Sequence, residues 1–276
     1  MRRRTFMCFP TFKEKAVTFS YDDGVVYDKQ LIEILRKNNL KCTFNLNSSL
    51  YGKYRRMSKE ESIDLYSNCE MEVAAHGEKH LSLASVNYVV ATNDVIQDRK
   101  ELEKTFNCIV NGFAYAYGSY SDEVIEILKR CGITYARTVT STNSFELPEE
   151  WLEWHPTCHH DNPNLIELAQ VFLDFKRPDY FWAYRPKLFF VWGHSYEFND
   201  KNNWEVIEKF AELIGNRDDI WYATNGEIYN YVKAYDSLVW GVDSSFVYNP
   251  TCIDVYINYF GENVVIKSGE TVCLKK

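Results

Sequence analysis

Short apolar runs rich in β-branched and aromatic residues alternate along this chain with segments of helical periodicity. In the first such pair, a β-like run at residues 16–20 precedes a segment whose apolar positions Leu31, Ile34 and Leu35 share one helical face. Seven or eight of these units fit into about 235 residues, and a (β/α)8 barrel typically needs about 250. The alternation therefore predicts βα units, a mainly parallel sheet and a barrel.

The later units continue this pattern up to residue 236. Further strands are predicted at residues 42–46, 71–75, 113–117, 133–139, 151–158, 188–192 and 220–223. Helices are predicted after a capping box at Ser58 and Glu61, at 92–106, after Ser121, and at 165–175, 204–214 and 226–235. From Ser237 onward the pattern changes to short alternating strands. We therefore expect a barrel domain over residues 1–236 and a small β-rich extension over 237–276.

Charge and composition exclude several classes of protein. The chain has 31 basic and 39 acidic residues, and this excess of acidic residues argues against a nucleic-acid-binding surface. No segment approaches the ~20 apolar residues of a membrane helix, and no apolar core of a signal peptide follows the basic start. The eight cysteines are scattered and form no C-x-x-C pair. We expect a cytoplasmic protein that binds neither nucleic acid nor membrane.

Side chains that can bind metals or transfer protons concentrate at three predicted strand ends. Active residues of a parallel barrel lie at the carboxyl ends of its strands. The three ends are Tyr21-Asp22-Asp23-Gly24, His76-Gly77-Glu78-Lys79-His80 and Gly193-His194-Ser195. All six histidines lie near predicted strand ends, at positions 76, 80, 155, 159, 160 and 194. This clustering indicates a functional site.

The first two strand ends together indicate a metal site. Two adjacent carboxylates repel one another unless a cation neutralises them, and alternation along the strand sends Asp22 and Asp23 in different directions. One can therefore bind a metal while the other faces a substrate. His76 and His80 can reach a common point, and one carboxylate with two imidazoles is the ligand set of a catalytic zinc-type site. Alone, Asp-Asp-Gly is commonly a turn and His-x-x-x-His can be coincidence, but their combination favours metal.

The ordered motifs resemble those of a known family. Four segments carry the resemblance: residues 18–24, 76–80, 113–118 and 190–194. They look like the motifs of polysaccharide deacetylases, the family-four carbohydrate esterases with a chitooligosaccharide deacetylase homology domain, over about residues 15–235. The resemblance implies an α/β fold, a distorted (β/α)7 barrel, here with the short β-rich C-terminal extension. It also implies a divalent metal, most often Zn2+, with Co2+, Ni2+ or Mn2+ as alternatives.

The resemblance also implies roles for individual residues. Asp22 would be the catalytic base and His194 the catalytic acid, while Asp23, His76 and His80 would bind the metal. The backbone N–H of Tyr117 would help to hold the oxyanion.

The chain departs from the family pattern at two motifs. Gly77 replaces the usual Ser or Thr, and Ala114, Tyr115 and Ala116 replace the usual arginine and proline. That arginine normally orients the base, and we expect Arg137, at the end of the next predicted strand, to supply the charge.

Aromatic and imidazole side chains near the strand ends are further candidates for substrate contacts. Tyr115 and Trp192 could stack on a sugar face or pack in the core. The imidazoles of His155, His159 and His160 could form a second metal site, support His194 or cap a loop. We expect one of them, His155 or His159, to line the pocket.

The sequence thus predicts a metal-dependent hydrolase that removes N- or O-linked acetyl groups from a carbohydrate, acting on carbon–nitrogen bonds other than peptide bonds in the N-acetyl case. One alternative keeps the fold with a small substrate, an N-acyl sugar or a cyclic amide. The other is a non-catalytic carbohydrate-binding relative, which the missing motif arginine suggests.

Overall fold

A computed structural model describes residues 5–67, 70–177 and 184–274. The strands are β1 (Thr5–Cys8), β2 (Lys15–Asp22), β3 (Cys42–Leu46), β4 (Glu72–Ala75), β5 (Gly112–Ala114), β6 (Tyr135–Arg137), β7 (Cys158–His159), β8 (Lys187–Gly193), β9 (Ile220–Tyr222), β10 (Val239–Trp240), β11 (Phe246–Tyr248), β12 (Val255–Tyr259), β13 (Glu262–Ile266) and β14 (Thr271–Cys273). The helices are α1 (Asp28–Lys37), α2 (Lys59–Ser67), α3 (Tyr88–Phe106), α4 (Asp122–Arg130), α5 (Leu165–Asp174), α6 (Ser195–Asp200), α7 (Glu205–Ile214) and α8 (Asn225–Asp236).

The central sheet is parallel and has the strand order β6-β5-β4-β3-β2-β8-β7. The strand β9 pairs with the first residues of β2, and β3 pairs with its last residues. Helices follow most of the strands, so the predicted alternation of strands and helices is confirmed. The sheet curls as the predicted α/β barrel requires.

The two ends of the curled sheet are joined by the segment 154–160. The Trp154 N–H donates to the Ala136 carbonyl in β6, at 2.9 Å. Three residues later the Thr157 N–H donates to the Phe190 carbonyl in β8, at 2.8 Å. Backbone hydrogen bonds therefore bridge from β6 to β8 through this segment.

The predicted strand at residues 151–158 is mostly wrong. Residues Trp151–Glu153 form a single 3-10 turn, and only Cys158–His159 form regular strand. Pro156 lies between them and has no N–H to donate, so a continuous ladder cannot form through it. The aromatic residues that suggested a strand instead pack in the core, where Trp154 is 1% exposed.

The strand β2 is buried on both faces, and its two faces have different chemistry. Phe19 points outward and packs against Phe210 of α7, with ring centroids 5.9 Å apart. The inner face is polar: Thr18 donates a hydrogen bond to Asn225, at 2.8 Å. Because side chains alternate along a strand, Asp22 shares this inner face with Thr18. The interior of the curled sheet is thus the polar environment in which Asp22 lies.

Two helix starts follow from capping side chains. The predicted capping box before α2 is confirmed, because Ser58 N–H donates to Glu61 and Glu61 N–H donates to the Ser58 hydroxyl. The helix α3 begins four residues earlier than predicted. There the Asn87 side chain accepts hydrogen bonds from the N–H groups of Val89 and Val90. This cap stabilises the first turn of the helix, although that turn contains two β-branched residues.

The C-terminal extension forms two small antiparallel sheets, ordered β10-β11-β14 and β1-β12-β13. The strand β1 from the start of the described chain pairs with β12, which the sequence did not indicate. The predicted β-rich extension is present, and the division of the chain into domains at residue 237 stays a prediction. Among the helices of the described ranges, none is both long enough and apolar enough to cross a membrane.

Candidate active site

Asp22 lies inside the sheet and is held by polar side chains on several strands. Its carboxylate is 2% exposed, and Arg137 Nη2 lies 2.7 Å from Oδ1 and also contacts Oδ2. Asn45 donates a further hydrogen bond to Oδ1, at 2.8 Å. Burial alone would raise the pKa of Asp22, but Arg137, His76 and His194 lower it to about 2. Asp22 is therefore ionised at neutral pH, and its Oδ2 lies 3.8 Å from His76 Nε2 and 3.9 Å from His194 Nε2.

Asp23, His76 and His80 bring three donor atoms together beside Asp22. One donor atom from each residue lies within 4.8 Å of the other two. His76 is 1% exposed, and its Nδ1 donates to the Ala114 carbonyl at 2.8 Å, so in the neutral imidazole the lone pair is on Nε2. That Nε2 is buried and has no hydrogen-bond partner in the described part of the chain. The orphaned nitrogen and the mixed nitrogen and oxygen donors fit a divalent metal.

The protonation of His80 also fits a ligand role. Burial and the neighbouring His76 lower the pKa of His80 to about 4, so its imidazole is neutral at pH 7. His80 Nε2 lies 3.7 Å from Asp23 Oδ1. Both residues have positive φ angles, 58° for His80 and 84° for Asp23. These uncommon backbone conformations turn the two side chains towards each other.

Two buried aspartates of α3 hold the loop that carries the histidines. Asp98 accepts a hydrogen bond from the His76 N–H at 3.0 Å, and Asp94 accepts one from the Lys79 N–H at 3.0 Å. Between the two histidines, Gly77 has a φ of 83°, and a Cβ there would lie 2.5 Å from Asp94 Oδ2. This loop therefore requires glycine at position 77, which explains the departure from the family pattern in terms of space.

His194 follows β8 and is oriented by a residue that sequence reasoning missed. Its Nδ1 lies 2.7 Å from Glu197 Oε1 in the first turn of α6. Burial alone would lower the pKa of His194, but Glu197, Asp22 and Asp23 raise it above its ordinary value. The pKa of Glu197 is held well below its usual range despite burial, by contacts with histidines. His194 and Glu197 are three positions apart in the sequence, but this spacing indicates a contact only once a helix is known to start at Ser195.

A second group of possible ligands surrounds Glu197. Donor atoms of His159, His160, Asp161 and Glu197 lie within 4.8 Å of one another. However, the Asp161 N–H donates to His159 Nδ1 at 3.1 Å, so the proton of neutral His159 is on Nε2, which faces Glu197 at 3.4 Å. The Lys201 ammonium contacts both carboxylates. This arrangement favours a hydrogen-bonded cluster that supports Glu197 over a second metal site.

The three clustered histidines of the sequence occupy different places. His160 is fully buried and stacks between Tyr21 and Phe198, with ring centroids 5.7 Å and 4.1 Å away. His159 contacts Glu197. His155 lies elsewhere, with Nδ1 2.6 Å from the Thr138 hydroxyl and Nε2 3.6 Å from a carboxylate oxygen of Glu153.

We expect His159→Ala and His160→Ala to have different effects. Removing the His160 ring leaves a cavity and should lower the free energy of unfolding by about 3 kcal/mol, the low end for a buried ring. His159→Ala removes a contact of Glu197 and should mainly lower turnover. Denaturation curves, turnover and metal analysis test this, with about one ion per chain in both variants. A second bound ion that is lost on His159→Ala would contradict the assignment of this cluster.

The aromatic candidates divide into two groups. The Arg137 guanidinium carbon lies over the Trp192 ring, 4.4 Å from its centroid, and Trp192 meets the His159 ring edge-on, so it lies within the site. Tyr117 is 73% exposed, has a φ of 59° and meets the His80 ring at 4.5 Å. Tyr115 is 1% exposed, and its hydroxyl donates to the Leu152 carbonyl. Of the two alternatives for Tyr115, packing in the core is therefore the one that its burial supports.

Known proteins are similar to this chain in sequence over part of its length and in fold over most of it. Residues 10–136 match the family model described as polysaccharide deacetylase. A protein from Mycobacterium smegmatis, assigned as a polysaccharide deacetylase, superposes with a TM-score of 0.63 at 18% identity, over 83% of this chain and 93% of that one. No curated protein matches the chain significantly.

Two structures of mutants of BA3943 from Bacillus anthracis, described as a pseudoenzyme of carbohydrate esterase family 4, are also similar. Their TM-scores are 0.52 at 18% identity and 0.51 at 17% identity, each over 81% of this chain and 70% of the other. The second is described as having restored enzymatic activity. These findings confirm that the chain resembles the polysaccharide deacetylases, in sequence over residues 10–136 and in fold over most of its length.

Proposed function

We propose that this protein is a metal-dependent hydrolase that removes N- or O-linked acetyl groups from a carbohydrate. The observation that carries the proposal is the convergence of three groups on one point. A buried, ionised carboxylate lies at Asp22, a three-donor metal site lies beside it, and the protonatable imidazole of His194 faces the same Oδ2 atom. Acyl transfer to water needs a base, an electrophile and an acid, and this set contains them.

Asp23, His76 and His80 are the residues that would hold the metal, with Zn2+ the best match to their donor atoms and Co2+, Ni2+ or Mn2+ as alternatives. When bound, a divalent ion supplies Lewis-acid polarisation of the acyl carbonyl and of a water molecule. The buried lone pair of His76 Nε2 and the neutral His80 support this assignment.

Asp22 would accept the proton of the attacking water at Oδ2. Asn45 holds its other oxygen, Oδ1, and Arg137 contacts both oxygens, so the position of the carboxylate is set before substrate arrives. Trp192 packs on Arg137 and limits its movement. In this proposal Arg137 is a positioning residue that takes the place of the missing motif arginine.

His194 would donate a proton to the leaving amine or alcohol. Its Nδ1–H points to Glu197, which leaves Nε2 facing Asp22 and the substrate side. The backbone N–H of Tyr117 would stabilise the oxyanion. Trp192 and His159 are proposed to line the substrate pocket, with His159 acting through Glu197, and a place there for His155 stays a prediction.

We expect Glu197→Gln to move the alkaline limb of the activity profile to lower pH. The catalytic acid must be protonated, and Glu197 raises the pKa of His194. Glutamine keeps the acceptor but loses the charge, so the limb should fall by about 1 to 2 pH units, the worth of a charged hydrogen bond. The profile of kcat against pH measures this, with Glu212→Gln on the exposed side of α7 as the control. An unchanged limb would exclude Glu197 from tuning the acid.

A second candidate function is carbohydrate binding without turnover, because a similar structure is described as that of a pseudoenzyme mutant. The same fold acting on a small N-acyl sugar or a cyclic amide is a third. Acetate release should be measured with added Zn2+ on N-acetylated glucosamine oligomers, O-acetylated xylan oligomers and free N-acetylglucosamine, and ring opening on hydantoin. Metal-dependent acetate release from oligomers supports the proposal. Binding of oligomers without any product favours the second candidate, and turnover of only the small substrates favours the third.

A further inference from the structure

A guanidinium group already contacts the carboxylate of the candidate metal site. Arg56 Nη2 lies 2.5 Å from Asp23 Oδ1 and 3.3 Å from Asn47 Oδ1. The side chains of Arg56 and Asp23 are only 10% and 11% exposed, so this ion pair is largely removed from water. Oδ1 is also the oxygen that lies 3.7 Å from His80 Nε2. The arginine therefore shares the oxygen that faces the other donors.

Each of the two adjacent aspartates has its own arginine. Arg137 neutralises Asp22 from inside the sheet, and Arg56 neutralises Asp23 from the other side. Two neighbouring carboxylates need a cation to neutralise their repulsion. In the structure, two arginines meet that need. A divalent ion at Asp23 would therefore meet a positive charge already in place.

Backbone hydrogen bonds hold the segment that carries Arg56 beside the candidate metal site. It forms an antiparallel bridge with Val25, and the next residue, Met57, donates its N–H to the Gly24 carbonyl at 3.0 Å. The Val26 N–H donates to the Arg55 carbonyl at 2.9 Å. These bonds join the Arg56 segment to the turn that follows Asp23, so the backbone of Arg56 is fixed beside the site.

We propose that Arg56 and the divalent ion compete for Asp23, so that Arg56 holds the carboxylate in the metal-free protein and weakens metal binding. The inference rests on the proposed metal site. Both cations use the lone pairs of one carboxylate, and like charges repel strongly in a site with little water. The rival account is an orienting hydrogen bond, which usually tightens metal binding by 10- to 100-fold. The two accounts predict opposite signs for removal of the charge.

The test is the Zn2+ affinity of Arg56→Gln, measured by competition with a chromophoric chelator. We expect the Kd to fall at least about tenfold, which corresponds to about 1.4 kcal/mol. Arg56→Lys keeps the charge and should stay near the wild-type Kd. Arg55→Gln is the matched control, because Arg55 immediately precedes Arg56 and pairs with the exposed Asp200. Its Kd should not change.

A second measurement follows from the metal-free protein. Without Arg56, the carboxylate of Asp23 is left in a largely buried place without that counter-charge, so the metal-free Tm should fall. Added Zn2+ should then raise the Tm by more in Arg56→Gln than in the wild type, because tighter binding stabilises the folded state more. This readout does not depend on enzyme activity.

The outcomes separate this inference from the proposed function. Equal or weaker Zn2+ binding in Arg56→Gln, while His80→Ala still loses the ion, would overturn the competition and leave the metal site standing. Absence of Zn2+ binding in the wild type, in Arg56→Gln and in Arg56→Lys would remove the metal site and the inference together. If the Gln variant does not fold, Arg56→Met is measured against Arg56→Lys, and a tighter Kd for Met supports the competition.

Discussion

Asp22→Asn should lower turnover by about 10²- to 10⁴-fold, the usual contribution of a general base. The amide keeps the shape of the carboxylate but cannot accept a proton at neutral pH. The amide also places an NH2 group where the carboxylate had an accepting oxygen. Depending on how the amide is turned, this NH2 group faces either the His76 and His194 nitrogens or Asn45. Acetate release under saturating Zn2+ measures the effect. Zn2+ stoichiometry should stay as in the wild type, because Asp22 is not among the three donors.

The control for this variant is Asp200→Asn, which removes a carboxylate from an exposed ion pair with Arg55. Because Asp22→Asn leaves the buried Arg137 without its counter-charge, the Tm of the variant must be measured alongside the rate. Wild-type turnover in a folded Asp22→Asn protein would exclude Asp22 as the base. If Asp22→Asn lost the metal and Asp23→Asn kept it, the two roles would be exchanged.

His80→Ala is expected to weaken Zn2+ binding by more than about 100-fold, beyond the usual cost of losing an outer-shell partner, because it removes a direct donor. Asp23 and His76 remain, and two donors do not make the three-residue set of a catalytic site. Acetate release should fall with the metal content. Chelator competition measures the affinity, and metal analysis after dialysis measures the stoichiometry.

His155→Ala is the matched control for that experiment, because His155 contacts Thr138 and Glu153 and is not among the grouped donors. It should keep the metal content of the wild type. Unchanged stoichiometry and affinity in His80→Ala would exclude this loop as the metal site. Equal losses in both variants would point to a general effect on folding, which the Tm values would reveal.

The elements of the barrel could be predicted from the sequence because their signals are local. Residues 42–46 form β3 as predicted, and the capping box at Ser58 needs only Glu61 three positions later. The nearness of the aspartate pair to His76 and His80 followed from one rule, that carboxyl ends of parallel strands share an edge, and the choice of Asp23 over Asp22 as the ligand followed from the family resemblance. The contact of Arg137 with Asp22 could be anticipated by the same rule.

The features that the sequence did not show depend on contacts between distant segments or on a local break. Arg56 reaches Asp23 across 33 positions through a loop of no regular pattern. The role of Glu197 depends on where α6 starts. The structure of residues 151–158 depends on the effect of Pro156 on strand pairing. Tyr115 is the first residue after the end of β5 and is buried in the core. Hydrophobic periodicity in the sequence predicts which face of a helix or strand is buried, whereas these four cases depend on where elements end or meet.

The pairing of β1 with β12 has a consequence for how the chain is made. During synthesis the partner of β1 leaves the ribosome about 250 residues after β1 itself. Until then the edge of β1 has unpaired backbone groups and apolar side chains such as Met7, which is buried in the finished protein. Contacts of such long sequence separation slow folding, and domains generally fold from the N-terminus as they emerge. Pairing of β1 thus waits for the β-rich extension, and a chain that stops before β12 would leave β1 as an open edge for aggregation.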